Sequence, residues 1–195
     1  MIGNKFNYIQ IPHGYSLIYI NPYPYLQIPV QLEMQENEFS KCFAKKANVL
    51  ETSGVDLSLI AVNNIFIDSF ESNPLISFKN TTCLDCLMSK STFILRPYVT
   101  SEKLFFASDS LAGNLNLVNS TISQEAPQSA RTSFFKNINS PDLNLTIDRI
   151  NWSQEQPLLN SFQLLTTDSG NLTFLNTEIS QVEYSKNLNF IKASP

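Results

Sequence analysis

Residues 113–122 read Gly-Asn-Leu-Asn-Leu-Val-Asn-Ser-Thr-Ile, and residues 170–179 read Gly-Asn-Leu-Thr-Phe-Leu-Asn-Thr-Glu-Ile. A motif that returns at a fixed interval means that each unit presents the same faces to its neighbours, and this leaves few architectures open. Anchored on Leu172, the same position is found at Leu143, Leu115, Cys86 and Leu57, at intervals of 29, 28, 29 and 29 residues. Two places after each anchor stands another apolar residue: Leu59, Met88, Leu117, Leu145 and Phe174. Phe93, Ile122, Ile150 and Ile179 follow seven places after the anchor, and Ile65 eight after it. A second apolar burst recurs at Leu75, Leu104, Phe134, Phe162 and Phe190.

The Leu-x-Leu alternation, with β-branched and aromatic residues between turn clusters, predicts strands. Helical repeats need longer uninterrupted runs, and propeller blades need about 40 residues each. Two or three short strands in each unit fit one coil of an all-β parallel β-helix. The expectation is five to six coils of 28–29 residues spanning 26–195, clearest over 55–195, with residues 1–25 as an N-terminal cap or extended arm. A right-handed coil is the expected hand. The earliest coil, through Ile28-Pro29-Val30, is less regular because Pro29 removes a ladder donor.

Immediately before the anchors stand Asp56, Asp85, Asn114, Asp142 and Asn171. Stacked coils would set these five one above another, about 4.8 Å apart, as a turn ladder. Gly113 and Gly170 precede two of them, where a tight turn calls for positive φ. A calcium site on Asp56 and Asp85 is the sharper alternative, and it lacks a third acid beside them.

These columns resemble the parallel β-helix superfamily, which includes pectate-lyase-like enzymes, phage tailspikes and surface-adhesin passenger domains. For a polysaccharide lyase or hydrolase, the resemblance implies two or three Asp clustered on one face. Here Asp68, Asp109, Asp148 and Asp168 each take a different place in the coil, and Asp148–Arg149 reads as a solvated ion pair. His13 is the only histidine and lies beside a turn outside the repeats. No catalytic, cofactor or metal constellation is therefore predicted, and no cofactor.

Three cysteines, Cys42, Cys83 and Cys86, do not make a disulfide framework. Cys86 occupies an inward column, which favours a packed thiol there over a local disulfide with Cys83 or a redox motif. Five sequons begin at Asn80, Asn119, Asn144, Asn151 and Asn171 and are the candidate N-glycosylation acceptors. The net charge of −4 provides no basic footprint for nucleic acid or anionic membrane, and no apolar run reaches bilayer length.

The uncharged stretch 15–32 carries Tyr15, Tyr19, Tyr23 and Tyr25 with three prolines. It reads either as a cap over the first coil or as an arm that adds to a second copy. The final residues stop within an apolar burst, which fits an excerpt of a longer protein or an end covered by another molecule. The N-terminus lacks the apolar core of a signal peptide.

Together these readings predict a structural, self-assembling or adhesive β-solenoid, extracellular or at the cell surface, forming a homo-oligomer or filament through its ends, with glycans as further partners. A polysaccharide-binding or polysaccharide-degrading β-helix is the alternative. Enzymes on this scaffold grow long insertions around a cleft, whereas these coils hold within one residue of 29.

Overall fold

A computed structural model describes residues 1–14, 16–21, 29–69, 73–95, 103–124, 132–154, 162–167, 169–180 and 188–193. Every ladder among them is parallel, and the strands form a β-solenoid with no helix among the described residues. Each coil contributes to three stacks. The first runs from Val30–Gln35 and Asp56–Val62, through 82–89 and 113–118, to Leu143–Asp148 and Asn171–Leu175. The second contains seven strands: Lys5–Asn7, Glu38–Ser40, Ile65–Ile67, Thr92–Leu95, Thr121–Gln124, Asn151–Gln154 and Glu178–Ser180. The third runs from Ile18–Ile20 and Leu50–Ser53, through 76–79 and 103–109, to Thr132–Ile138, Phe162–Thr167 and Leu188–Ala193.

The stretch expected as a cap or arm contributes strands of its own. Lys5–Asn7 pairs with Glu38–Ser40, Gln10–Ile11 with Phe43–Ala44, and Ile18–Ile20 with Leu50–Ser53. Of its four tyrosines, Tyr19 sits in the third stack, while Tyr15, Tyr23 and Tyr25 lie outside the described residues.

The corner into the second stack follows one backbone rule before each of its seven strands. Gly3, Glu36, Asn63, Lys90, Asn119, Arg149 and Asn176 all take φ between 47° and 65°. Left-handed φ costs a non-glycine residue about 1 kcal/mol or more. The coil below offsets it, because the corner N–H donates across the coils: Glu36 to Val62 O at 3.0 Å, Asn119 to Asp148 O at 2.9 Å, Arg149 to Leu175 O at 3.0 Å. The next residue forms a polar row, with Asn4 exposed at its end and Asn37, Asn64, Ser91 and Ser120 buried. Asn37 donates from both its backbone N and its Nδ2 to Asn64 Oδ1, at 3.1 and 3.0 Å. Ile150 replaces the polar group in the same row, one coil after Ser120.

Two places on from this row, Phe6, Phe39, Phe66 and Phe93 stack at centroid separations of 5.0, 5.2 and 5.1 Å. The row continues through Ile122 and Trp152, and the backbone of Ile179 pairs in register with Trp152. Around Trp152 the stacked ladder gives way to a tilted cluster with Phe105 and Phe134, at 5.8 and 6.0 Å. Each buried ring contributes about 1.5–3 kcal/mol by leaving water, and each ring pair about 0.5–1.5 kcal/mol more.

Leu57, Leu59, Leu115, Leu117, Leu143, Leu145, Ile122 and Ile150 are all buried, and Leu172 and Phe174 pack half-buried against the same core. Their grouping differs from the uniform 29-residue alignment. The observed inward row is Leu32, Leu59, Cys86, Leu115, Leu145 and Leu172, with steps of 27, 27, 29, 30 and 27 residues. Leu57 instead shares a row with Cys83, Gly113 and Leu143. In the second stack Phe66 and Trp152 take the inward places expected of Ile65 and Ile150, and Ile65 faces outward at 38% exposure. The uneven steps have local causes. Leu84 is extruded at a bulge where the ladder shifts between Cys83 and Cys86, and an extra turn at 141–142 precedes Leu143.

Gly113 lies beside that bulge with φ +85°, and a Cβ there would fall 2.0 Å from the Cys83 carbonyl oxygen. Gly3 also has positive φ, but open space surrounds its missing Cβ. Gly113→Ala should therefore cost several kcal/mol or prevent folding, whereas Gly3→Ala should cost about 1 kcal/mol. Urea unfolding of the two variants measures the difference; equal losses would show that the close approach at Cys83 is not what demands glycine.

Candidate functional site

The outward side of the first stack carries the amides and acids expected as a turn ladder, distributed over two rows. Asn114, Asn144 and Asn171 share one row with Asp85 and Ser58. Asn144 Nδ2 donates to Asn114 Oδ1 at 3.2 Å, and Asn171 Nδ2 to Asn144 Oδ1 at 3.0 Å. Asp56 pairs with Thr82 in the neighbouring row, and Asp142 accepts from the Gly113 N–H through its backbone oxygen. The five-member ladder is thus corrected. Asp142 leaves it because coil 115–145 is 30 residues long, and Asn144 enters. The amide row is exposed, and the half-buried Thr146 and exposed Thr173 run parallel to it.

The sequon asparagines divide by position. Asn80 and Asn119 occupy exposed left-handed corners, with φ of 43° and 50°. Asn151 opens a strand on the second stack and is exposed. Asn144 and Asn171 use their amides within the ladder.

The acids stay apart. Asp148 pairs with Arg149 at 2.8 Å and accepts from Asn176 Nδ2 at 3.1 Å. Asp109 accepts from Ser110 Oγ and Asn139 Nδ2, Asp68 sits at a left-handed corner, and Asp168 is outside the described residues. No group of three or more potential ligands gathers among the described residues.

The cysteines behave otherwise than a packed thiol pair. Cys83 and Cys86 form a disulfide across the bulge, with Cα atoms 5.4 Å apart. The extruded Leu84 brings Cys83 and Cys86 onto the same inward side, which a regular strand denies to residues three apart. At 1% and 0% exposure the bridge is shielded from exchange partners, which fits a staple across the bulge. Cys42 is free and buried, and burial pushes its thiol up.

Glu51, Lys45 and Lys46 went unmarked in the sequence because none of them belongs to a motif. Glu51, between the inward Leu50 and Thr52, is itself buried at 3% exposure. Its Oε1 lies 3.8 Å from Lys79 Nζ, and its Oε2 has no hydrogen-bond partner. Burial raises its carboxyl above the ordinary 4.5, with Lys79 and Lys46 pulling it back down. Separately, His13 is exposed and lines a cavity of about 150 Å³ with Gly14, Lys45 and Lys46.

No protein-family model matches the chain, and no curated protein or solved structure does so either.

Glu51 holds its proton to higher pH in the folded chain than in the unfolded one, so the native state binds more protons between the two pKa values. Stability then falls as pH rises through that window, starting near 4.5. Glu51→Gln should raise Tm at neutral pH and match the wild type under acid conditions; a Tm difference constant across pH would show that ionisation is not the cause. Cys83→Ala/Cys86→Ala should fold but lose about 2 kcal/mol in chemical denaturation, the chain-entropy value for so short a loop. An unchanged midpoint would mean that the bridge does not staple the bulge.

Proposed function

We propose that this chain is a rigid structural element of an extracellular or cell-surface assembly, joined to further copies lengthwise. The observation that carries the reading is the continuity of the inter-coil rows. Seven left-handed corners, the Phe6–Phe93 ladder and the Asn-to-Ser row run from coil to coil, which makes a stiff rod. Among the described residues, Lys5–Asn7 and Glu178–Ser180 each pair on one side only. Such edges offer backbone donors and acceptors to a like strand. A disulfide within the core fits an oxidising compartment.

Polysaccharide binding is the second reading, supported by the exposed amide row Asn114–Asn144–Asn171 with Thr173 beside it.

Negative-stain electron microscopy across a concentration series distinguishes the two readings. Lengthwise fibres that grow with concentration are expected. Short rods at every concentration would overturn self-assembly and favour the polysaccharide reading, which binding and cleavage screens would then test.

A further inference from the structure

The cavity of about 150 Å³ bounded by His13, Gly14, Lys45 and Lys46 lies where the chain departs from the three-stack plan. It sits beside the extra parallel pair Gln10–Ile11 with Phe43–Ala44, which forms its own two-stranded sheet. Gly14 closes a turn by donating to Ile11 O at 3.3 Å, and a Cβ there would meet Ile11 Cγ2 at 2.1 Å. The turn holds the backbone of residue 14 against Ile11 and leaves the cavity open beside it.

The charge is unusual for this molecule. In a chain of net charge −4, the only histidine and two consecutive lysines face one concavity. Lys5, Lys79 and Arg149 are each held by a carboxylate, at 3.1, 3.8 and 2.8 Å. Lys45 and Lys46 form no ion pair among the described residues, and no described carboxylate lines the cavity. Lys46 also draws down the raised carboxyl of the buried Glu51. A volume of 150 Å³ far exceeds the roughly 10–15 Å³ that one water needs.

We infer that this cavity binds an oxyanion: a carboxylate, sulfate or phosphate group, either free or carried on an anionic glycan. The two ammonium groups supply charge-assisted donors, and the imidazole N–H supplies a third. The inference does not depend on lengthwise assembly and would stand if the rods never joined.

The test is a titration of the ¹⁵N-labelled chain, at constant ionic strength, with sodium sulfate, sodium phosphate and an oligogalacturonate. Saturable shifts centred on the Gly14, Lys45 and Lys46 amides are expected. Lys45→Gln/Lys46→Gln should weaken binding about tenfold or more, since each removes a charged hydrogen bond. Lys90→Gln, at a distant exposed corner, should leave it unchanged. Saturation by the simple ions identifies a site for a free anion, and saturation by the oligogalacturonate alone identifies one for a glycan-borne group. Absence of saturable shifts with all three, or shifts that survive in the double variant, would overturn the inference.

Discussion

In a parallel stack the neighbour above and below each residue is its own equivalent, so every row must be made of residues that tolerate contact with their own kind. Phenylalanine meets this condition by stacking, as Phe6, Phe39, Phe66 and Phe93 do with interplanar angles of 7°, 8° and 11°. Asparagine meets it because its amide both donates and accepts, as from Asn37 to Asn64 inside and from Asn171 to Asn144 outside. A carboxylate does not, since like charges about 4.8 Å apart repel. Where charge enters a row it alternates, as Lys5 over Glu38 at 3.1 Å, or it stands beside a neutral partner, as Asp85 beside Asn114 and Ser58.

The same constraint explains how coils of unequal length coexist. Extra residues are tolerated only where they leave the row before realigning with it. Leu84 does so at the bulge, where the Cys83–Cys86 bridge and the glycine at 113 together hold the distorted strand against its neighbour. Trp152 fills the place of a phenylalanine, and its tilted contact with Phe105 and edge contact with Phe134 replace the face-to-face ladder. Packing adjusts by ring orientation while the backbone hydrogen bonds between coils persist.

The period and the strand alternation were legible in the sequence because burial imposes them directly. Leu59, Leu115 and Leu117 announce an inward face whichever coil they belong to. The register was less legible for a related reason. A strand has period two, so a slip of one residue exposes the core and is easily rejected, whereas a slip of two lays Leu upon Leu and leaves the pattern intact. A uniform 29-residue period sets Leu57 against Cys86 and Leu143 against Leu115, two residues out of register. In the second stack the slip was by one and by two, at Ile65 for Phe66 and at Ile150 for Trp152, because isoleucine occupies both places. The left-handed corner was marked only in part, since Gly3, Asn63, Asn119 and Asn176 are types that tolerate positive φ. Glu36, Lys90 and Arg149 carry none of the glycine signal by which positive φ is normally read, since the inter-coil hydrogen bond and not the residue type holds them there.

What the rows leave over is where function has room to reside. Rows that repeat themselves present one chemistry along their whole length, suited to a partner that also repeats: another copy of the rod, or a polymer. Chemistry needing unlike groups at one point requires a break in the repeat. The pair Gln10–Ile11 and Phe43–Ala44 is such a break, outside both larger sheets. There His13, Lys45 and Lys46 line one cavity. A self-matching rod is therefore divided by its own geometry: the repeat governs what extends along the axis, and a break in it is where unlike groups can meet at a single point.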